Sequence, residues 1–319
     1  MKIYNEIKNW RIIRKIPGLK KYITRYMQYS FEGTNCQSYE QYEACITRLY
    51  HTIEKGLSYP KYRAGFGKDN INALIKTMEN YITDGYDAEA FFYRTALSTL
   101  YAYVNKNSEY GYTEEKLNER INELRGTPNS SGGTIIIRPI EREQQRLMNF
   151  KDLMEKRHSI RQFSGDEVNT EWILEALKIA QYTPSACNRQ GWKTRIIRKR
   201  NTIKDVLLNQ NGNKGFGEGF DKLLILTADL RYFNRERELF QAYIDGGMYA
   251  ESVLNALFYL GIGAVPLSAA LTEIQEENIR SILKIDQAEV FILFIGVGNY
   301  PDECLATKSE RRKPKYEII

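Results

Sequence analysis

The stretch MEKRHSIRQFSGDEV, Met154 to Val168, sets two guanidiniums, Arg157 and Arg161, around a His-Ser-Ile run near the middle of a 319-residue chain. Arg suits fork-like hydrogen bonding to phosphate. If the segment is extended, residues 157, 159 and 161 face one way. Two guanidiniums and a hydroxyl at the end of a predicted helix suit an anion. Arginine pairs on a solvated surface look the same in isolation, so the surrounding sequence must decide.

The texture changes on either side of this stretch. Upstream, TRLYHTIEKGL, DNINALIKTMENYI and EAFFYRTALSTLYAYV carry apolar residues three and four apart, which predicts helices across residues 39–125. GTPNSSGG, Gly126 to Gly133, has the composition of a linker. We therefore expect a helical region over 1–125, a linker over 126–133 and a second domain over 134–319. In that domain helices are predicted near Gln144–Lys156, Thr170–Gln181, Leu239–Leu260 and Thr272–Leu283. Strands are predicted at Lys193–Arg198, Leu223–Thr227, Ile262–Leu267 and Val290–Val297. Strict βαβ alternation is missing, which predicts an α+β layer in place of a doubly wound sheet.

Composition excludes several classes. The chain is 42% hydrophobic and 27% charged, with ordinary globular proportions. Its four cysteines and two histidines have no metal-ligand spacing, so no metal is expected. Few cysteines and no apolar leader suit a reducing, cytoplasmic setting. Ser252 to Leu271 is uncharged over 20 residues, but Asn255, Gly261, Gly263, Pro266 and Ser268 interrupt it, which predicts a core helix running into a core strand. The net charge of +6 is local: residues 1–30 hold eight basic groups and one acid. With Trp10, Ile12, Ile13 and Ile16 interleaved, this arm could lie on an anionic membrane surface or touch a polyanion; Pro17-Gly18 breaks any long amphipathic face and favours a solvated helix packed on its own domain. No nucleic-acid module accompanies the charge.

Two further stretches carry site chemistry. PSACNRQGWKTR, Pro184 to Arg195, has small residues that permit close backbone approach, and Asn188 and Gln190 offer paired donors and acceptors. As a bare sequence it also fits a polar turn before a strand. SERRKPKYEII ends the sequence with Arg311, Arg312 and Lys313 before Pro314.

In order and spacing these three stretches resemble the nitroreductase family of FMN-dependent oxidoreductases, over about residues 145–319. The family's Arg-x-Ser-x-Arg/Lys segment is matched by Arg157, Ser159 and Arg161, its Pro-Ser-x-x-Asn-x-Gln-Pro-Trp segment by Pro184 to Trp192, and its basic closing segment by Arg311 to Pro314. Gly191 departs from the family's proline, which loosens that turn. The resemblance implies a mostly antiparallel sheet flanked by helices, FMN as cofactor, NAD(P)H as electron donor and a small-molecule electron acceptor. It implies that Arg157, Ser159, Arg312 and Arg311 hold the FMN phosphate and that Arg161 meets the flavin N1/C2 edge. A cation there stabilises the charge of the reduced flavin. Ser185 and Asn188, with Pro184, Ala186 and Gln190 in the same segment, would contact the isoalloxazine across a homodimer interface. Val265-Pro266-Leu267-Ser268 would brush the ring near N5. His158 either helps to position FMN or serves the backbone.

Three stretches keep open readings. His51 to Gly67 is dense in polar residues and glycine, and is either a capped turn or a loop reaching the site. Asn209 to Phe220 is either a cover over the flavin lined by Phe216 or Phe220, or a surface loop. The glycines of Asp245-Gly246-Gly247 allow close approach of a helix or cofactor. No nucleophile is required, and Cys187 has no evident base. The competing class is a flavin-binding or scaffold module without nicotinamide-dependent turnover.

Overall fold

The computed structural model describes residues 33–233 and 238–319; the basic arm, residues 1–30, lies outside the described residues. The chain divides into two compact units. One takes in the described residues up to Glu54, Ala64–Gly133 and Ser309–Ile319; the other is Lys55–Arg63 with Thr134–Lys308.

The first unit is helical: α1 (Tyr39–Leu57, its last turn counting with the second unit), α2 (Lys68–Thr83), α3 (Phe91–Glu109) and α4 (Glu115–Glu123). Apolar residues at helical spacing, Ile71, Leu74, Ile75 and Met78 on α2, close its core. Tyrosines fill much of the rest. The Tyr81 ring stacks on Tyr86 and Tyr93 at 5.0 and 5.5 Å, and Tyr42 donates to Asp84 at 2.7 Å. The linker-like segment runs along α3: Arg94 Nε donates to the Thr127 carbonyl at 2.8 Å, and Asn129 meets Thr95 and Ser98. Glu54, fully buried, accepts from the Gly133 N–H at 3.0 Å and lies 3.3 Å from His51 Nδ1. His51 is thereby a partner of a buried carboxylate at the end of a helix.

The second unit is built on a four-stranded antiparallel sheet, order β2-β3-β5-β4, from β2 (Trp192–Ile197), β3 (Lys222–Asp229), β4 (Gly263–Ser268) and β5 (Glu289–Gly298). Both faces are covered. On one side α7 (Thr170–Ala180) and α9 (Gln241–Tyr259) pack Ile173, Ala176, Val253 and Leu257 against Leu224, Leu226 and Ile295. On the other, α8 (Arg200–Leu208), α10 (Glu273–Leu283) and Phe216–Phe220 pack against Leu223, Ile225 and Phe294. This double burial explains why β3 reads as an unbroken apolar run. The Ser252–Leu271 stretch is the end of α9 running into β4, as its interruptions imply. No helix among the described residues is long and apolar enough to cross a membrane.

The structure corrects several expected elements. The single helix expected over Gln144–Lys156 is two, α5 (Arg142–Arg146) and α6 (Phe150–Lys156), because the Asn149 side chain accepts from the Asp152 N–H and starts a new helix. β1 (Thr134–Ile137) and β6 (Cys304–Thr307) form a separate antiparallel pair, too short to show periodicity in the sequence. α8 was not anticipated. Phe216 and Phe220 are core residues: Phe220 is fully buried, its ring 5.8 Å from Phe163, and Asn213 ties the preceding turn to the Leu207 carbonyl. Phe216 and Phe220 are thus packed into the core, while Asn211, Gly212, Lys214 and Gly215 between α8 and Phe216 are exposed.

A buried polar cluster joins the sheet. Glu289 takes two hydrogen bonds from Arg195, at 2.6 and 2.7 Å, and one from the Thr227 hydroxyl at 2.5 Å. Burial alone would raise its carboxyl; the Arg195 and Thr227 bonds outweigh that and hold it near 2, against an ordinary 4.5. Because the folded value is depressed, this cluster stabilises fully above about pH 4.5 and the contribution fades as pH falls towards 2. Glu289→Ala is expected to cost on the order of 3 kcal/mol in urea unfolding at pH 7. The gap from wild type should narrow between pH 4.5 and 2; a gap constant across that range contradicts the assignment. At Gly296 a Cβ would run into the Phe220 ring, so Gly296→Val should lower stability by roughly 1–3 kcal/mol in the same assay.

Candidate functional site

The Met154–Val168 stretch begins as the last turn of α6 and turns extended at Arg157, φ −70°, ψ 121°. From there it is stitched across the ends of three strands. The Ile160 N–H donates to the Ala264 carbonyl of β4 at 2.9 Å, and the Ser164 N–H donates to the Asn299 carbonyl just past β5 at 3.1 Å. At β3, the Val168 N–H donates to Asp221 at 2.9 Å while the buried Lys222 ammonium donates to the Val168 carbonyl at 2.7 Å and to Asp221 at 2.6 Å. Ile160 is buried completely. It acts as the apolar plug that fixes its neighbours on either side.

Arg157, His158 and Ser159 are half-buried, and Arg161 is 5% exposed. An Arg161 N–H donates to the Ser159 carbonyl at 3.3 Å, and the guanidinium lies 5.7 Å from the centre of the Phe216 ring. His158 and Ile160 line a cavity of about 280 Å³ with Phe258 and Tyr300. Burial raises the Tyr300 phenol, and the Arg157 charge opposes that rise. The expected β4 residues follow: Pro266 is half-buried, Leu267 buried and Ser268 exposed, and the Ser268 carbonyl accepts from Gln210 at 2.9 Å. Through Ile160 and Ala264 the structure brings the first motif to the strand that carries Pro266–Ser268.

The Pro184–Gln190 loop is organised differently. Cys187, Asn188 and Gln190 all have positive φ, at 52°, 55° and 50°. Three bonds hold this costly backbone: Gln190 N–H to Ser185 Oγ at 3.0 Å, Gln190 Nε2 to Asn188 Oδ1 at 2.8 Å, and Ala186 N–H to Asp245 at 3.1 Å. Pro184 and Asn188 are exposed, and Ser185, Ala186 and Gln190 half-buried. Gly191, where the family has proline, is buried, and a Cβ there would stand 3.1 Å from Tyr232. Glycine at this place serves packing as well as the turn. The loop is tied to α9 by Asp245, a buried carboxylate that the sequence flagged only for the glycines beside it.

Arg311 and Arg312 belong to the helical unit. There Arg312 pairs with Glu43 at 2.6 Å, and Lys315 meets the same carboxylate at 3.0 Å. Burial would raise the Glu43 carboxyl, but these two cations outweigh it and lower it. Within the sheet-bearing unit the anion-suited groups are Arg157, Ser159 and Arg161.

That unit also includes Lys55–Arg63 from the His51–Gly67 stretch. The Ser58 carbonyl accepts from Gln162 at 3.5 Å, and the Tyr59 ring lies 5.6 Å from Phe216. Burial lowers the Lys55 ammonium, and the nearby Arg161 charge lowers it further. Burial raises the Tyr59 phenol, and Arg161 opposes that rise. A charge in the half-buried last turn of α1 was the available signal, and its spatial neighbour was not.

Comparison with known proteins adds three findings. Residues 154–217 match the model of the nitroreductase family. A protein of Archaeoglobus fulgidus, provisionally named NADH dehydrogenase/NAD(P)H nitroreductase, is 27% identical over 150 residues, 46% of this chain and 83% of its own length. Among solved structures, a nitroreductase-like protein from Streptococcus mutans (19% identity, 53% of this chain and 97% of that one, TM-score 0.45) and an FMN-dependent nitroreductase from Clostridium difficile (18%, 53% and 92%, TM-score 0.42) are similar. Residues 154–217, the stretch similar to that family's model, contain the Arg-x-Ser-x-Arg and Pro-Ser-x-x-Asn motifs.

Proposed function

We propose that this protein is an FMN-dependent oxidoreductase that uses NAD(P)H to reduce an electron-poor acceptor. The observation that carries this reading is the row Arg157–Ser159–Arg161, pinned to β4 through Ile160 and Ala264 and ending in a guanidinium withdrawn from water. The donor set fits the cofactor. A hydroxyl and a half-buried guanidinium suit a phosphate dianion, and a buried cation suits the polar edge of a flavin. When bound, FMN supplies hydride acceptance from the nicotinamide and electron delivery to the acceptor, in two half-reactions.

The chain's own residues bind, orient and bias. Arg157 and Ser159 take the phosphate. Arg161 orients the flavin edge and, as a fixed positive charge, favours negative charge there without reorganisation. Ser185, Ala186, Asn188 and Gln190 present a pre-formed loop, kept in its positive-φ shape by Asp245. Pro266–Ser268 supply backbone groups along β4, and His158 lines the cavity beside the arginine row.

The functional form in this reading is a homodimer, in which the 184–190 loop serves the partner's cofactor. Its support is an exposed apolar face: Tyr243, Ile244 and Met248 on α9, with Leu147, Phe150 and Met154 around α6. Ile244→Glu should convert a dimer to monomers in sedimentation; a monomeric wild type removes this part of the proposal.

The purified protein is expected to be yellow and to bleach with NADH or NADPH. A colourless protein that takes up no added FMN would falsify the flavin reading. Arg157→Ala should weaken FMN binding roughly tenfold to a hundredfold, the loss of a charge-assisted bond, whereas exposed Lys178→Ala should leave it unchanged. Equal retention in both variants contradicts the phosphate assignment.

A further inference from the structure

The cavity of about 280 Å³ beside the Arg157–Arg161 segment is a different place from the arginine row. Along extended backbone neighbouring side chains alternate. His158 and Ile160 line the cavity, while Arg157, Ser159 and Arg161 do not. The sheet separates the two further. Phe258, which walls the cavity, belongs to α9 on one face, and Phe216, the ring beside Arg161, packs on the opposite face. The whole lining lies within the sheet-bearing unit. Its apolar part is Ile160 and Phe258 with Ile136 and Ile140. Because β1 has one neighbouring strand, Ile136 is left 52% exposed.

Two polar groups in this lining are unanswered. Gln145 on α5 is 2% exposed, and among the described residues its side-chain amide makes no hydrogen bond. Leaving a buried amide unmet costs about 1–3 kcal/mol. Its Oε1 lies at the turn of Gly261, where φ is 70° and a Cβ would stand 3.3 Å from that oxygen. The Tyr300 hydroxyl is likewise without a partner among the described residues. Burial raises that phenol, so at neutral pH it keeps its proton and can donate. The charged side chains of the lining are answered from within the protein: Arg138 by Glu303 at 2.6 Å, Lys156 by Asp152 at 3.6 Å and Glu155 by Lys151 at 3.9 Å. The cavity therefore suits a neutral ligand, to which it offers apolar walls, an amide with donor and acceptor side by side, and a hydroxyl.

We propose that this cavity is a second ligand site, for a neutral purine-type base, in which the Gln145 amide reads the edge where an amino donor stands beside a ring acceptor and the Tyr300 hydroxyl donates to the base. Glutamine pairs with such an edge through both ends of its amide. The volume is at the small end for ligand pockets, which run from about 300 to 1,000 Å³, so it takes a base and not a whole dinucleotide. The site stands independently of the flavin reading, since none of its lining residues belongs to the arginine row.

The test is calorimetric titration of adenine, and of purine, which lacks the amino group, into the full chain with and without excess FMN. Wild type should bind adenine roughly tenfold tighter than purine, the scale of one bidentate amide contact, and FMN should change neither affinity by more than about twofold. Gln145→Leu should bring adenine down to the affinity of purine and leave purine unchanged. Ile136→Trp, a change at an exposed position of the wall, should block both. Failure of wild type to bind adenine, equal binding of adenine and purine, or a preference that survives in Gln145→Leu overturns the assignment. Loss of adenine binding on adding FMN also overturns it, because the base would then occupy the flavin site. If Gln145→Leu does not fold, Tyr300→Phe is the second variant and should weaken adenine about threefold, the loss of one neutral hydrogen bond; an unchanged affinity counts against the site. A protein that takes up no FMN but shows the Gln145-dependent preference upholds the cavity and sinks the flavin reading alone.

Discussion

Lys222 is the point on which the sheet-bearing unit turns. A lysine almost completely withdrawn from water opens β3, and its ammonium is satisfied by the Val168 carbonyl and the Asp221 carboxylate, while that carboxylate also accepts the Val168 N–H. Burying an ammonium is costly unless its donors are taken up. The arrangement therefore admits one path for the chain after the arginine row: across the strand ends, with Ile160 on β4 and Ser164 past β5 as the other stitches. Arg157 to Arg161 hold their place because the segment is fixed at its far end as well as at α6.

The same economy of fixed backbone governs the Pro184–Gln190 loop. Three positive-φ residues in four positions would be strained in isolation. Asp245 reaches from α9 to one loop N–H, and the loop closes its remaining polar groups on itself. The loop owes its shape to these internal bonds together with a buried carboxylate on a helix, and Asn188 is exposed while bonded to Gln190.

Much of this was legible in the sequence. β3 and β5 read as apolar runs because both sheet faces are covered, and α7, α9 and α10 read from three-and-four spacing. The arginine row and the Pro-Ser-x-x-Asn segment were visible as motifs. What could not be read has a physical cause in each case. β1 and β6 pair across more than 160 residues and are four residues each, so no local pattern marks them. The break between α5 and α6 hangs on the side chain of Asn149. Phe216 and Phe220 sit in a glycine-rich segment that looks like open loop, yet the bare backbone of Gly296 leaves room for a ring in the core.

The division of the chain has a further consequence for inheritance and shuffling. Neither unit is a single stretch of sequence: Lys55–Arg63 lies within the helical half of the chain but is counted with the sheet, and Ser309–Ile319 follows the sheet but is counted with the helices. A recombination event at residue 133 would strip the sheet of one segment and leave the other orphaned behind β6. Each unit therefore draws on chain from both sides of residue 133.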